Sequence, residues 1–468
     1  MNSYLAIDIT PERCTATIGS FTNKGIETQL IHSFANEPIS LFGRLYWDLL
    51  YMYSGVIEAL RKAARSGVEI KSIGITSFGF DFCCFGSDGL ILSPPRAFVG
   101  ITDNSLTANY YSRVNKSDLY KRIAAQDQPY KTLFQLDTMQ RSGSASLSAA
   151  NKILFISDTI TYMLTGVMVS EETIAGSSGI VNVTTQCLDQ KVLMSVGLTP
   201  QNFGVFVSPG MTIGRLSDQV QRLTGLGNVP IVAVAGHDVA SAVLASPEEP
   251  DDAAFSYAGY NCVVGIETEG LVVGPAAEAA GLTNSKSGDG RNLVYRVTGG
   301  ARLLRKCFSE WGDTYTPDEV SKMINSATSM HSLIDPDSEA FSNPDQMSRV
   351  MRQMCERTAQ RPPADKAEVL KCLALSVANR HTEVLRTILS AAHTTVNKLV
   401  ALGSDPSAGI LLQMVSDMTG LEVVLGPPNP STLGNIMVQA VAAGEVINIG
   451  EARHIVAPTV ATQTFQPR

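Results

Sequence analysis

The chain opens with a short unbroken apolar run, Tyr4-Leu5-Ala6-Ile7, closed by Asp8. A run of that length predicts a buried strand, Ile9 to Cys14 predicts a turn, and Thr15-Ala16-Thr17-Ile18-Gly19 predicts the strand that returns. The design recurs in the second half, where Ala253 to Tyr257, a turn over Ala258 to Asn261, and Cys262 to Ile266 read as a second hairpin. Between the hairpins, apolar residues spaced i, i+3/i+4 predict a helix over Leu45 to Arg65. Ser72 to Thr76 predicts a short strand and Ala150 to Leu164 a further helix. Helix and strand in alternation mean an α/β fold. The repeated hairpin divides the chain into related halves, 1–244 and 245–468, expected to face each other across a cleft. In the second half Val384, Leu385, Ile388, Leu389, Val396, Leu399 and Val400 fall on one helical face, with helices also expected over Gly409 to Met418 and Leu433 to Ala443. Ser332 to Lys366, rich in Asp, Asn, Pro and Ser, predicts an exposed excursion carrying one short helix, Gln346 to Arg357.

Chemistry enters after the apolar run Val229 to Ala235, which is followed directly by Gly236-His237-Asp238-Val239-Ala240-Ser241-Ala242-Val243. This order sets a carboxylate where a buried strand meets a helix. Ligands of open α/β sheets gather at the carboxyl ends of strands, and a helix dipole keeps an Asp at its N-terminus ionised, so Asp238 is a candidate proton acceptor. Asp is also a common helix cap. The octet alone leaves both roles open.

Composition narrows the function. At roughly 150 residues per domain, 468 residues imply two to four domains, and 44% hydrophobic residues supply more than one core. A net charge of −8 without a basic run argues against nucleic acid or an anionic membrane as the main partner. The first residues carry an acid and no basic segment, and no apolar run reaches the roughly 18 residues of a membrane span, so a cytoplasmic location is expected. Eight cysteines are scattered without a CxxC pair, as small buried apolar residues would be; only Cys355 and Cys372, flanking a Pro-containing loop, are close enough for a local bridge. His32, His331, His381, His393 and His454 show no metal spacing. Neither a GxxxxGK[ST] loop nor a GxGxxG fingerprint is present, since Gly225-Leu226-Gly227-Asn228-Val229-Pro230 lacks the third glycine and precedes a strand. Any nucleotide must be held by hairpin turns and helix ends.

Five segments in order sharpen the picture: Phe42 to Asp48; Ser72 to Ile75 followed by Phe78-Gly79-Phe80-Asp81-Phe82; Gly236 to Val243; Phe341 to Met347 leading to Cys355 and Cys372; and Leu433 to Ala440. With them the chain resembles the FGGY carbohydrate kinases, and their rhamnulokinase branch in particular, within the actin and hexokinase superfamily. The resemblance implies a two-domain actin/hexokinase-like (ribonuclease H-like) α/β fold with a ligand cleft between the domains. It also implies transfer of phosphate from ATP, with Mg²⁺, to a ketose or deoxyketose resembling L-rhamnulose. Asp238 would be the base, His237 and Gly79 would meet the sugar, and Asp8 would stand near the metal. Asp8, Thr10, Arg13, Gly259, Tyr260, Arg305 and Gly403 would meet the nucleotide. Sugar and nucleotide are then the partners, a homodimer is allowed, and sugar binding is expected to compact the molecule.

Several positions depart from the family pattern. Thr10 stands for a glycine, Pro11 removes an amide donor, Glu12 adds negative charge, and Arg13 offsets it. Tyr260 replaces a small hydroxyl residue, Val297 and Arg305 replace an asparagine and a glutamine, and the glycine triplet reads Gly403-Ser404-Asp405-Pro406-Ser407-Ala408. On the sugar side Phe98 to Asp103 replaces a segment with an Arg-Asp pair, and Asp127 and Lys131 precede Thr132-Leu133-Phe134-Gln135. Drifted loops, a changed substrate or donor, and lost catalysis all account for such a cluster. The alternative to a kinase is therefore a catalytically inactive FGGY-like sugar-binding or regulatory protein.

Overall fold

The computed structural model describes residues 2–22, 25–341, 346–404, 408–460 and 463–468. The chain forms two compact units. The first comprises Met1–Ala245, Glu269–Leu293 and Asn429–Thr459; the second comprises Ser246–Thr268, Val294–Pro428 and Val460–Arg468.

In the first unit a six-stranded sheet runs in the order Thr212–Arg215, Pro230–Val232, Ile70–Ser77, Ser3–Ile9, Arg13–Thr22, Gly25–Ala35. The expected hairpin is its centre: Ser3–Ile9 pairs antiparallel with Arg13–Thr22 and parallel with Ile70–Ser77, which sets Asp8 opposite Thr76. Every residue of Ser3–Ile9 is buried, the pattern of a strand covered on both faces. The edge strand Gly25–Ala35 carries mostly exposed residues, so no apolar alternation announced it. Helix Pro430–Ala442 packs on the sheet so closely that a Cβ on Gly74 would overlap Asn435 Oδ1. The same helix meets Asp238–Leu244 backbone to backbone, because a Cβ on Gly434 would overlap the Ser241 carbonyl oxygen. Ser241 Oγ donates to the Ser431 carbonyl at 2.8 Å.

Two expectations in this unit are corrected. The helix predicted from Leu45 begins at Leu49, where Asp48 caps it by accepting from Tyr51 N at 3.0 Å, and Arg44–Tyr46 pairs as a strand with Ile39–Leu41. The stretch from Ala150 splits into a strand, Lys152–Phe155, and a helix, Ile156–Thr165. Four consecutive apolar residues, Ile153 to Ile156, are buried here, and a run that short does not distinguish strand from helix.

The second unit repeats the theme. Ala253–Ala258 and Cys262–Thr268 form the second hairpin, and Ala253–Ala258 runs parallel to Lys398–Leu402, which runs parallel to Glu422–Leu425. Helix Lys366–Ala392 ends at His393, whose φ of 51° is left-handed. Leu399 and Val400 consequently belong to a strand and not to the helical face expected of them; the β-branched run Thr394-Thr395-Val396 disfavours continuing the helix. The helix Met347–Arg357 forms nearly as expected, but the segment around it is no exposed excursion, since Phe341, Met347 and Met351 join a core with Leu303, Cys307, Cys355 and Cys372. Residues 342–345 of the quoted motif lie outside the described residues. Cys355 and Cys372 are buried free thiols, as small apolar residues would be.

Candidate active site

The strand Ile70–Ser77 and the run after Pro230–Val232 continue side by side beyond the regular sheet, with Ser77 N donating to Gly236 O at 2.8 Å. That pairing brings Gly79 to His237. A Cβ on Gly79 would lie 2.5 Å from Ser177 Oγ and 3.1 Å from His237 Nε2, so only glycine leaves this surface open. His237 occupies the cap position and makes no side-chain cap bond; Asp238 is the first helical residue and accepts from Val239 N at 2.8 Å. Asp238 thus stands one position inside the cap that the sequence suggested for it. The Asp238 side chain remains 14% exposed and its Oδ1 lies 3.5 Å from His237 Nε2.

The imidazole is neutral. Burial, with the charge of Lys131 adding to it, pushes His237 down to about 3, and its Nδ1 finds no hydrogen-bond partner among the described residues. Glu171 fixes the turn beneath it. Its Oε2 accepts from Gly236 N at 2.9 Å, Ile174 N at 3.1 Å and Thr173 Oγ1 at 2.7 Å, while Thr173 Oγ1 accepts from His237 N at 3.2 Å. Burial drives Glu171 up to about 7 against these donors.

Sequence reasoning named Gly79, His237 and Asp238 but gave no role to Phe80, Ser177 or Glu171. Phe80 holds a φ of 80°, unusual for an aromatic residue, with its carbonyl accepting from Thr132 Oγ1 at 2.6 Å. Its ring packs 5.0 Å from Tyr130 and 5.7 Å from Phe98. The ammonium of Lys131, buried and pushed down to about 8 chiefly by desolvation, sits 5.2 Å from the Phe80 ring centre and donates to the Ser177 carbonyl at 3.1 Å. Asp81 ties two of the quoted motifs together by accepting from Trp47 Nε1 at 2.6 Å, Phe98 N at 2.8 Å and Gln135 Nε2 at 2.9 Å. Asp127 pairs with Lys116 at 2.5 Å and with the Tyr111 hydroxyl, and its charge acts on Lys131.

Asp8 is buried at the end of its strand. Thr76 Oγ1 donates to Oδ1 at 3.0 Å, Thr432 Oγ1 to Oδ2 at 3.1 Å, and Ser431 Oγ also to Oδ2. Desolvation nevertheless raises its pKa, a penalty that a nearby cation would offset. Magnesium is commonly held by one or two carboxylates with water and phosphate completing its shell, so one oriented carboxylate fits a hydrated ion. Among the described residues no group of three or more His, Cys, Asp or Glu forms an all-protein cage. The Thr10 hydroxyl turns back into its own loop, donating to Arg13 O at 2.9 Å and accepting from Arg13 N at 3.1 Å, while Arg13 is exposed.

In the second unit Gly259, Arg305 and Gly403 line one cavity of about 430 Å³, within the range of small-molecule sites. Gly403 has φ 70°, and a Cβ on it would lie 3.3 Å from the Tyr257 ring; one on Gly259 would lie 3.0 Å from that ring. Arg305 is 5.9 Å from the Tyr260 ring centre. Phe308 and Tyr315, 5.3 Å apart, add an aromatic wall. Residues 405–407 of the altered glycine triplet lie outside the described residues.

The model of the FGGY family of carbohydrate kinases, N-terminal domain, matches residues 26–245, and that of its C-terminal domain matches residues 296–443. The chain belongs to the FGGY family of carbohydrate kinases. This FGGY kinase is 34% identical over 466 residues to a rhamnulokinase of Bacteroides thetaiotaomicron, covering 100% of this chain and 96% of the relative. It is 28% identical to a rhamnulokinase of Mannheimia succiniciproducens, covering 99% and 94%. Its fold matches a xylulose kinase from Lactobacillus acidophilus with TM-score 0.81 at 14% identity, and a Plasmodium falciparum glycerol kinase with ADP with TM-score 0.78 at 15% identity; each match covers 100% of this chain and 94% of the other. The expected two-domain α/β fold is thereby borne out, and the chain is a rhamnulokinase-like carbohydrate kinase. Among the described residues no helix is long and apolar enough to cross a membrane.

Proposed function

We propose that this kinase transfers the γ-phosphoryl group of ATP to a hydroxyl of a ketose or deoxyketose resembling L-rhamnulose, with Asp238 as general base. The observation that carries the reading is the partly exposed Asp238 carboxylate beside the buried, neutral imidazole of His237, at the surface Gly79 keeps open. Asp8, Asp81 and Glu171 each accept three or more hydrogen bonds. Asp238, whose side chain is 14% exposed, is the carboxylate of this region proposed to meet the sugar hydroxyl.

In the proposed reaction the sugar hydroxyl gives its proton to Asp238 as its oxygen bonds to the γ-phosphorus, and the bond from that phosphorus to the β,γ-bridging oxygen breaks. The Nε2 edge of His237, which faces Gly79, would meet a second hydroxyl. Phe80, Phe98 and Tyr130 offer an aromatic surface suited to the C–H face and methyl group of a deoxysugar. Asp8 is the residue that would hold magnesium, which offsets charge on the transferring phosphoryl group. Gly259, Arg305 and Gly403 support a nucleotide site at the cavity of the second unit. Full-length similarity to two rhamnulokinases supports the sugar class.

The test is incubation of the purified protein with Mg·ATP and a panel of ketoses and deoxyketoses, with sugar phosphate detected by mass spectrometry. Product is expected with L-rhamnulose or a close relative. Absence of product from every sugar, together with absence of ATP binding, would overturn the reading in favour of an inactive sugar-binding protein.

A further inference from the structure

The second unit holds a nucleophile that the kinase reaction does not use. Cys262 opens the strand Cys262–Thr268, and its Sγ lies 3.1 Å from Nε2 of His381 on helix Lys366–Ala392. Ser256 Oγ stands 3.1 Å from the same nitrogen and 3.5 Å from the sulfur. The other imidazole nitrogen, Nδ1, is 2.8 Å from the carbonyl of Val377 one turn earlier. A carbonyl only accepts, so Nδ1 carries hydrogen and the Nε2 lone pair faces the thiol. Cysteine, histidine and a group that orients the histidine are the elements of an activated thiol. All three side chains line the cavity of about 430 Å³ that also holds Gly259, Arg305 and Gly403. A Cβ on Gly300 would sit 2.8 Å from Cys262 Cβ, so glycine at 300 keeps that side of the cysteine clear.

We infer that Cys262, activated by His381, is a peroxide-reactive modification site in the wall of this cavity, where its oxidation to a sulfenic acid opposes nucleotide binding. Burial alone would raise the thiol, but the charge and hydrogen bond of His381, with the hydrogen bond of Ser256, bring it below its ordinary value. Burial also disfavours charging His381, and Cys262 raises it again; each stabilises the charged form of the other. Cys83, Cys84, Cys307 and Cys372 show the contrast, since burial pushes each of those thiols up to about 12.

The chemistry balances with a hydroperoxide as oxidant. His381 Nε2 takes the thiol proton, the thiolate sulfur bonds to one peroxide oxygen, and the O–O bond breaks. The departing oxygen leaves as water once it takes the proton back from His381. Sulfur loses two electrons and the peroxide gains two, so thiol and hydrogen peroxide give sulfenic acid and water. The added oxygen then occupies the wall of the cavity. Only this last consequence rests on the reading of the cavity as the nucleotide site.

The experiment treats the folded full chain with hydrogen peroxide at neutral pH, traps sulfenic acid with dimedone, and follows each cysteine by peptide mass spectrometry. Cys262 is expected to be trapped about tenfold faster than buried Cys83 and Cys307, and faster than exposed Cys187. His381→Gln should slow it about tenfold, and Cys262→Ser should abolish its label with the other peptides unchanged. Trapping of Cys262 no faster than Cys83 and Cys307, or unaltered in a folded His381→Gln protein, would overturn the proposal. If His381→Gln unfolds, Cys83, Cys307 and Cys372 become labelled together, and the rate ratio in the unmodified sequence decides alone. Mg·ATP, whose binding is measured separately by calorimetry, should protect Cys262 several-fold. A reactive Cys262 that bound ATP does not protect would overturn the nucleotide assignment of the cavity while upholding the thiol; an inert Cys262 in a protein that binds ATP would overturn the thiol while leaving the kinase reading in place.

Discussion

Replacing Gly79 by alanine adds one methyl group where the structure has little room for it. The new Cβ would sit 2.5 Å from Ser177 Oγ and 3.1 Å from both Nε2 and Cδ2 of His237. Neither neighbour yields easily, because Ser177 is fully buried with its hydroxyl donating to Ile174 O at 2.8 Å, and the His237 ring is buried beside Phe80. The backbone at Gly79 does not need a positive φ, so the whole penalty is contact. Reaching ordinary van der Waals separation from Ser177 requires a shift of roughly 1 Å in the Phe78–Asp81 loop or in the histidine, and overpacking of this kind costs about 1–3 kcal/mol. A misplacement of that size beside the base is enough to lower turnover up to about a hundredfold. Steady-state assays should accordingly show kcat/KM for the sugar down by about 10–100-fold with KM for ATP little changed, and a denaturant melt should lose about 1–3 kcal/mol. Ser177→Ala removes the closest atom, so the double variant should recover much of both losses, with a coupling of about 1 kcal/mol or more. Unchanged sugar kinetics in Gly79→Ala, or no recovery in the double variant, would refute the reasoning.

Three further outcomes follow from the same geometry. Glu171 has a folded pKa of about 7 against an ordinary 4.5, so the stability its protonation contributes is complete below about pH 4.5 and lost as pH rises through 7. Glu171→Gln, isosteric with the protonated acid, should gain stability relative to the unmodified protein between pH 5 and pH 8 in paired thermal melts; a difference independent of pH contradicts this. His237 has the opposite sign: its folded pKa of about 3 lies below the ordinary 6.5, so its contribution is complete above about pH 6.5 and lost as pH falls toward 3, and His237→Asn should flatten that acid limb of the melting curve. Arg305→Ala removes a cation from the cavity wall and should raise KM for ATP about tenfold with sugar KM unchanged; the same rise in sugar KM alone would place the nucleotide elsewhere.

Both hairpins were legible because each pairs short apolar runs across a few turn residues, and the octet around Asp238 because a buried run ends abruptly in Gly-His-Asp. Other features depend on contacts between distant residues. Lys152–Phe155 reads equally as helix because it is four residues long and apolar throughout its buried part. Phe341, Met347 and Met351 were hidden in a composition typical of loops, and only the packing of Leu303 and Cys372 against them makes a core. Neither the left-handed backbone of Phe80 nor the burial of Lys131 has a local sequence signal. Gly434 was quoted within a motif, yet its reason is the backbone of Asp238–Leu244 crossing against it. Cys262 and His381 are 119 positions apart, too far for spacing to suggest a pair.

Asp238→Asn tests the account most directly, because it keeps the size of the side chain and removes only its basicity. Rapid-quench measurement of sugar phosphate under saturating Mg·ATP and sugar, beside calorimetry of ATP binding, separates chemistry from binding. The account predicts turnover lowered by about 10²–10⁴-fold with ATP affinity unchanged. Turnover within a few-fold of the unmodified protein would contradict it and require another base.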